Sequence, residues 1–172
     1  DNTKHLIEEF KKENLFTIIY QYHSNKGMHY SLNVGLKYIS ADYFFKLDSD
    51  DYLLKDSLNK INESILNIRS IYSINEVYGF SFLSQSVTNK NLNEYQKLLK
   101  KGKKITNNIY LADYISARFT NWISGDLLDI LPSKPVIDHF RYPMFTDENY
   151  APTASISYFL SDYYKSKVAF IF

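Results

Sequence analysis

Strand-like and helix-like segments alternate along the N-terminal half of the chain, and this alternation narrows the possible folds to a few. Residues 15–22 and 43–47 are short, apolar and rich in β-branched or aromatic side chains, which predicts two strands. Residues 28–39 and 54–72 have apolar side chains at helical spacing, which predicts a helix after each strand. Because this order favours parallel strands covered by helices, we expect a mainly parallel, Rossmann-like α/β sheet.

Further elements are predicted after residue 72. We expect strands over residues 76–83 and 168–172, a helical turn over 125–131 and a helix over 152–164. The 172 residues are the length of one domain, and the 45% hydrophobic content is enough for a core. No interdomain linker or repeat interrupts them, so residues 1–172 are interpreted as a single domain.

Charge and composition exclude several classes of partner and site. Lys and Arg number 20 against 19 Asp and Glu, so the chain has no strong positive field to attract a nucleic acid. It has no cysteine, so a bound metal would need oxygen or imidazole ligands. No apolar run approaches the roughly 20 residues that cross a bilayer. We expect a cytoplasmic location, with peripheral attachment to the inner face of the membrane as the alternative.

Three aspartates follow the second predicted strand. Asp48, Asp50 and Asp51 come directly after residues 43–47, and ligands in open α/β sheets bind beyond the carboxyl ends of strands. Residues two apart in an extended segment point the same way, so Asp48 and Asp50 are predicted to converge on Mg²⁺ or Mn²⁺. The alternative is that Asp50 or Asp51 caps the following helix.

The acidic cluster ends a longer pattern over residues 25–53. The string NKGMHYSLNVGLKYISADYFFKLDSDDYL resembles the donor-binding part of family-2 glycosyltransferases, which have the GT-A fold. In that family, a pattern like N-x-G-x-x-x-x-x-N-x-G-L leads through an aromatic strand to a D-x-D motif. The start of the chain, Asp1-Asn2-Thr3, resembles the end of the family's D-G-S-x-D-N-T turn. The resemblance therefore implies a GT-A-like sheet that is truncated at its N-terminus and lacks its first strand.

The same resemblance implies roles for residues in a nucleotide-sugar half, residues 1–83. Asp48 and Asp50 would be the D-x-D carboxylates that hold Mg²⁺ or Mn²⁺. Asn25 and Gly27 would shape the loop beside the nucleotide, and Asn33 would lie on the helix that lines the donor pocket. The alternative for Asn25 and Gly27 is an ordinary turn that helps to pack the following helix.

An acceptor-side half is expected over residues 107–172. Residues 141–152 resemble the family segment that carries a catalytic carboxylate pair, so Asp147 and Glu148 are the candidates for the base. The family order is Glu then Asp, which is reversed here, and both could instead cap the next helix. Asp126 resembles an aspartate that lines the acceptor side, with a plain helix N-terminus as the alternative. Trp122 could stack on a sugar ring or could belong to the core.

These features predict an enzyme. The resemblance implies an inverting, metal-dependent glycosyltransferase of bacterial polysaccharide biosynthesis. It would move a sugar from a nucleotide sugar, a UDP-sugar, to a glycan, a lipid-linked acceptor or another hydroxyl group. The alternative is a non-catalytic module of the same fold that binds a nucleotide sugar or a glycan. A nucleotidyltransferase is disfavoured, because the chain shows no glycine-rich phosphate loop near its N-terminus.

Overall fold

The structure is a computed structural model that describes residues 2–13, 15–83, 101–119, 127–144 and 153–171. The helices in these ranges are α1 (Thr3–Lys12), α2 (Met28–Leu36), α3 (Ser57–Arg69), α4 (Tyr114–Phe119), α5 (Ser133–His139) and α6 (Thr153–Tyr164). The strands are β1 (Tyr43–Phe44), β2 (Val77–Leu83), β3 (Lys103–Lys104), β4 (Ile109–Ala112), β5 (Leu127–Pro132) and β6 (Lys167–Ile171). The predicted α/β fold class is therefore confirmed.

The described strands form one mixed sheet in the order β1-β5-β2-β6-β4-β3. The pair β2–β6 is parallel, whereas β1–β5, β2–β5, β3–β4 and β4–β6 are antiparallel. The expectation of a mainly parallel sheet was therefore wrong. The alternation in the sequence suggested parallel neighbours, but β1 and β2 each pair with β5, a strand from the other half that runs the opposite way.

Residues 15–22 do not form the strand that their composition predicts. The described chain gives this segment no strand partner, and Leu15, Phe16 and Tyr22 are exposed. A β-branched and aromatic composition suits a pleated surface, but a strand exists only where a neighbouring strand completes its hydrogen bonds. The helices predicted on either side of residues 43–47 are confirmed as α2 and α3, each a few residues shorter than expected.

Residues 127–132 form strand β5, not part of a helical turn. A short apolar run such as Leu127-Leu128-Asp129-Ile130-Leu131 satisfies both helix and strand patterns, and tertiary pairing decides between them. Here the run pairs with β2 on one side and with β1 on the other. The predicted strands over 76–83 and 168–172 and the helix over 152–164 are confirmed as β2, β6 and α6.

Helices cover both faces of the sheet. On one face, α3 contributes Ile61 and Ile68 to a buried cluster with Phe80 of β2. On the other face, a larger cluster includes Val136 of α5 and Leu160 of α6, which are both fully buried. No helix in the described ranges is long and apolar enough to cross a membrane.

Candidate active site

The acidic cluster follows the carboxyl end of β1. Strands β1 and β2 both run antiparallel to β5, so they point in the same direction, and β2 is parallel to β6. Asp48 comes four residues after Phe44, beyond the carboxyl end of β1. The cluster is therefore directed to the edge at which β2 and β6 also end, where open α/β sheets bind their ligands.

Residues 48–51 form a tight turn. The N–H of Asp51 donates to the carbonyl oxygen of Asp48 at 3.1 Å. The segment is therefore a turn, and the alternation of an extended strand, which predicted that Asp48 and Asp50 point the same way, does not apply to it. Asp48, Asp50 and Asp51 are all exposed. The alternative role of Asp50 or Asp51 as a helix cap is wrong, because α3 begins only at Ser57 and its N-cap position is Asp56.

Lys46 forms an ion pair with Asp48. Its ammonium lies 2.6 Å from Oδ1 and 2.8 Å from Oδ2, while the Asp48 side chain keeps 53% of its surface exposed. A cation therefore already lies against one of the two predicted metal ligands. Asp50, two residues further along, lies on the exposed part of the turn.

The loop of Asn25 and Gly27 builds the start of α2. The side-chain Oδ1 of Asn25 accepts a hydrogen bond from the N–H of Gly27 at 3.0 Å. Gly27 has φ 85° and ψ 166°, a conformation that is essentially restricted to glycine. Its carbonyl oxygen accepts from the N–H of Ser31 at 3.3 Å and from the hydroxyl of Ser31 at 3.2 Å. The two residues thus shape the loop before α2, and their role beside a nucleotide stays a prediction.

Asn33 contacts the other half of the chain. It lies on α2 and is half-buried, and its amide forms hydrogen bonds to the backbone of Tyr142. The helix that was expected to line the donor side thus reaches residues 140–144, which lead along the chain to Asp147 and Glu148.

Asp129, on β5, is a carboxylate that the sequence patterns did not single out. Asp129 is directly opposite Ser81 in the strand register, and the Ser81 hydroxyl donates to its Oδ1. The hydroxyl of Tyr114, on α4, donates to Oδ2 at 2.5 Å. Burial raises the pKa of Asp129, and the hydroxyls of Ser81 and Tyr114 offset part of that rise. The sequence feature that could have identified Asp129 is its position as the one charged residue within the apolar run of residues 127–131.

Residues 1–120 match the family model described as Glycosyl transferase family 2, which covers more than half of the chain's 172 residues. The chain belongs to glycosyl transferase family 2. Comparison with curated proteins and with solved structures gave no match. Membership means a GT-A fold and a glycosyltransferase that uses a nucleotide-sugar donor and an acceptor.

Within the described residues, the carboxylates of this family-2 enzyme are compatible with a divalent cation that takes some of its ligands from outside the protein. No group of three or more His, Asp or Glu side chains converges anywhere in the described ranges, so a site made entirely of protein ligands does not fit there. Asp48 and Asp50 could supply two carboxylate oxygens. Mg²⁺ commonly takes one or two carboxylates and completes its shell with phosphate oxygens and water, so this donor set fits a cation that arrives with a diphosphate.

The acceptor-side candidates of this family-2 enzyme lie outside the described residues. Trp122 and Asp126 belong to residues 120–126, and Asp147 and Glu148 belong to residues 145–152. Leu127 at the start of β5 pairs with Leu83 at the end of β2. Strand β5 therefore begins beside the carboxyl end of β2, the end of the sheet toward which the acidic turn is directed.

Proposed function

We propose that this glycosyltransferase moves a sugar from a nucleoside-diphosphate sugar, a UDP-sugar, to a hydroxyl group of a glycan or lipid-linked acceptor. The observation that carries the proposal is the position of the turn formed by residues 48–51. It follows β1 and is directed to the edge where β2 and β6 end. In a sheet of this class, that edge is where a nucleotide ligand is expected.

Asp48 and Asp50 are proposed to hold Mg²⁺ or Mn²⁺ on the donor diphosphate. When bound, the cation offsets the negative charge that develops on the departing diphosphate. Lys46 must share or release Asp48 in that state, because its ammonium lies within 2.8 Å of both carboxylate oxygens. Asn25 and Gly27 are proposed to keep the neighbouring loop in the shape that admits the nucleotide.

Glu148 or Asp147 is proposed to act as the base. One of these carboxylates takes the proton of the acceptor hydroxyl, whose oxygen bonds to the anomeric carbon as the bond to the diphosphate breaks. The nucleoside diphosphate leaves with the electron pair of that bond. A single displacement of this kind inverts the anomeric centre and forms no covalent enzyme intermediate. Trp122 and Asp126 are proposed to contact the acceptor.

The test is the substitution Asp50→Ala in the complete protein, with Asp162→Ala as the matched control. Asp162 is an exposed aspartate of α6, remote in sequence from the acidic turn. We expect Asp50→Ala to abolish Mn²⁺-dependent release of nucleoside diphosphate from a panel of nucleotide sugars, and Asp162→Ala to retain it. Unchanged turnover in Asp50→Ala would overturn the proposal. Donor binding without transfer by the wild-type protein would favour the non-catalytic binding module instead.

A further inference from the structure

Asn33 pairs with both backbone groups of one distant residue. Its Nδ2 donates to the carbonyl oxygen of Tyr142 at 2.9 Å, and its Oδ1 accepts from the N–H of Tyr142 at 2.8 Å. The residues are 109 positions apart in the sequence, and Tyr142 is buried with 5% of its surface exposed. A side-chain amide that faces a peptide group in this way reproduces the paired hydrogen bonds of two backbone segments.

His29 extends the same contact by one residue. It lies four positions before Asn33 on α2, so the two side chains are neighbours on one helix face. The Nδ1–H of His29 donates to the carbonyl oxygen of Pro143, and its ring stacks on Tyr142 with centroids 6.0 Å apart. Proline has no N–H, so α2 engages every backbone hydrogen-bonding group of Tyr142 and Pro143.

Both polar groups of the Asn33 amide take part in these contacts. Its oxygen and one N–H are used by Tyr142, and its nitrogen also approaches the sulfur of Met144 at 3.9 Å. These contacts hold the side chain toward Tyr142, and turning it toward a nucleotide would break both hydrogen bonds and leave the backbone groups of a buried residue unsatisfied. The contacts of Asn33 therefore favour a role other than direct donor binding.

Helix α2 links the two sides of the proposed reaction. Its first residues follow the loop of Asn25 and Gly27, and its residues His29 and Asn33 bind the backbone of Pro143 and Tyr142. Glu148 follows five residues after Pro143 in the sequence. We infer that Asn33 is a positioning residue: it fixes the start of the acceptor-side segment relative to the donor loop. This inference rests on the proposed function.

The test separates donor and acceptor kinetics in the complete protein. The variant Asn33→Ala is compared with Asn62→Ala, a substitution of an exposed asparagine on α3. We expect the Kd for the nucleotide sugar to stay within about twofold, while kcat/KM for the acceptor falls roughly 10- to 100-fold, as small misplacements of reacting groups commonly produce. Asn62→Ala should leave both constants unchanged.

A second residue keeps the inference testable if Asn33→Ala fails to fold. His29→Phe keeps a ring against Tyr142 but loses the donor to Pro143, whereas His29→Gln retains a donor. We expect His29→Phe to lower kcat/KM for the acceptor with an unchanged donor Kd, and His29→Gln to restore part of it. A purely structural role would not produce this rescue together with an unchanged donor Kd.

Sugar transfer by the wild-type protein and its loss in Asp50→Ala would uphold the proposed function. With those results in hand, two further results would overturn the inference about Asn33 alone. One is a donor Kd that weakens tenfold in Asn33→Ala with the acceptor constants intact. The other is an acceptor kcat/KM that is unchanged in both Asn33→Ala and His29→Phe. A wild-type protein that transfers no sugar at all would instead overturn the proposed function, and the inference with it.

Discussion

The ammonium of Lys46 lies 2.6 Å and 2.8 Å from the two carboxylate oxygens of Asp48, one of the predicted metal ligands. The pair is partly exposed, with 30% and 53% of the respective side chains accessible, so it contributes at most about 1 kcal/mol to stability. Its importance is local. Lys46 neutralises a carboxylate in the acidic turn and competes there with any divalent cation.

The substitution Lys46→Met should therefore strengthen metal binding. We expect the Mn²⁺ concentration for half-maximal donor turnover to fall several-fold, because Asp48 no longer has a competing cation. The free energy of unfolding should change by less than about 1 kcal/mol. Lys60→Met, on the exposed part of α3, is the control and should change neither quantity. A rise in the Mn²⁺ requirement would instead indicate that Lys46 assists the diphosphate directly.

Gly27→Ala should destabilise the protein by about 1–3 kcal/mol, because any side chain is strained at its backbone conformation. Gly27 has φ 85° and ψ 166°, and it is the N-cap residue of α2. Gly35→Ala on the same helix is the matched control, since no atom lies within 4 Å of the added Cβ. It should stabilise α2 by about 0.5–1 kcal/mol. Urea unfolding measures both, and equal effects would contradict the assigned role of Gly27.

The Asp129→Asn variant should remove a pH dependence of stability. Burial raises the pKa of Asp129 in the folded state, so its protonated form is the one that folding favours. Its contribution to stability is present below about pH 4, the ordinary range of aspartate, and is lost as pH rises through the raised pKa. An asparagine stays neutral and can still bond the hydroxyls of Ser81 and Tyr114.

The measurement for Asp129 is the free energy of unfolding between about pH 4 and pH 8, by urea titration. We expect Asp129→Asn to gain stability relative to the wild type as the pH increases. Asp162→Asn, at an exposed position of α6, should run parallel to the wild type. A constant difference between Asp129→Asn and the wild type would mean that the folded state does not raise the pKa of Asp129.

Leu160→Ala should lower the free energy of unfolding by about 2–5 kcal/mol, since it deletes a fully buried side chain and leaves a cavity. Leu160 of α6 has 0% of its surface exposed, whereas Leu66 of α3 has 60% exposed. Leu66→Ala is therefore the control, with an expected loss below about 1 kcal/mol. Comparable losses for the two variants would show that α6 does not pack on the sheet as described.

Several features of this protein follow from local sequence alone. The helical spacing of residues 28–39 and 54–72 predicted α2 and α3, and the apolar runs near residues 80 and 170 predicted β2 and β6. The pattern from Asn25 to Asp50 predicted the family that the match over residues 1–120 confirmed. These features were predictable because a helix period, a buried strand and a glycine-dependent loop depend mainly on residues close together in the chain.

Only the tertiary structure determined which segments pair as strands. Residues 15–22 and 127–131 have similar apolar compositions, yet only the second run has strand partners, so β5 exists and the other predicted strand does not. The contact of Asn33 with Tyr142 and that of Asp129 with Ser81 also join residues far apart in the sequence. No local pattern specifies such contacts, because their free energy depends on which side chains the folded sheet brings together.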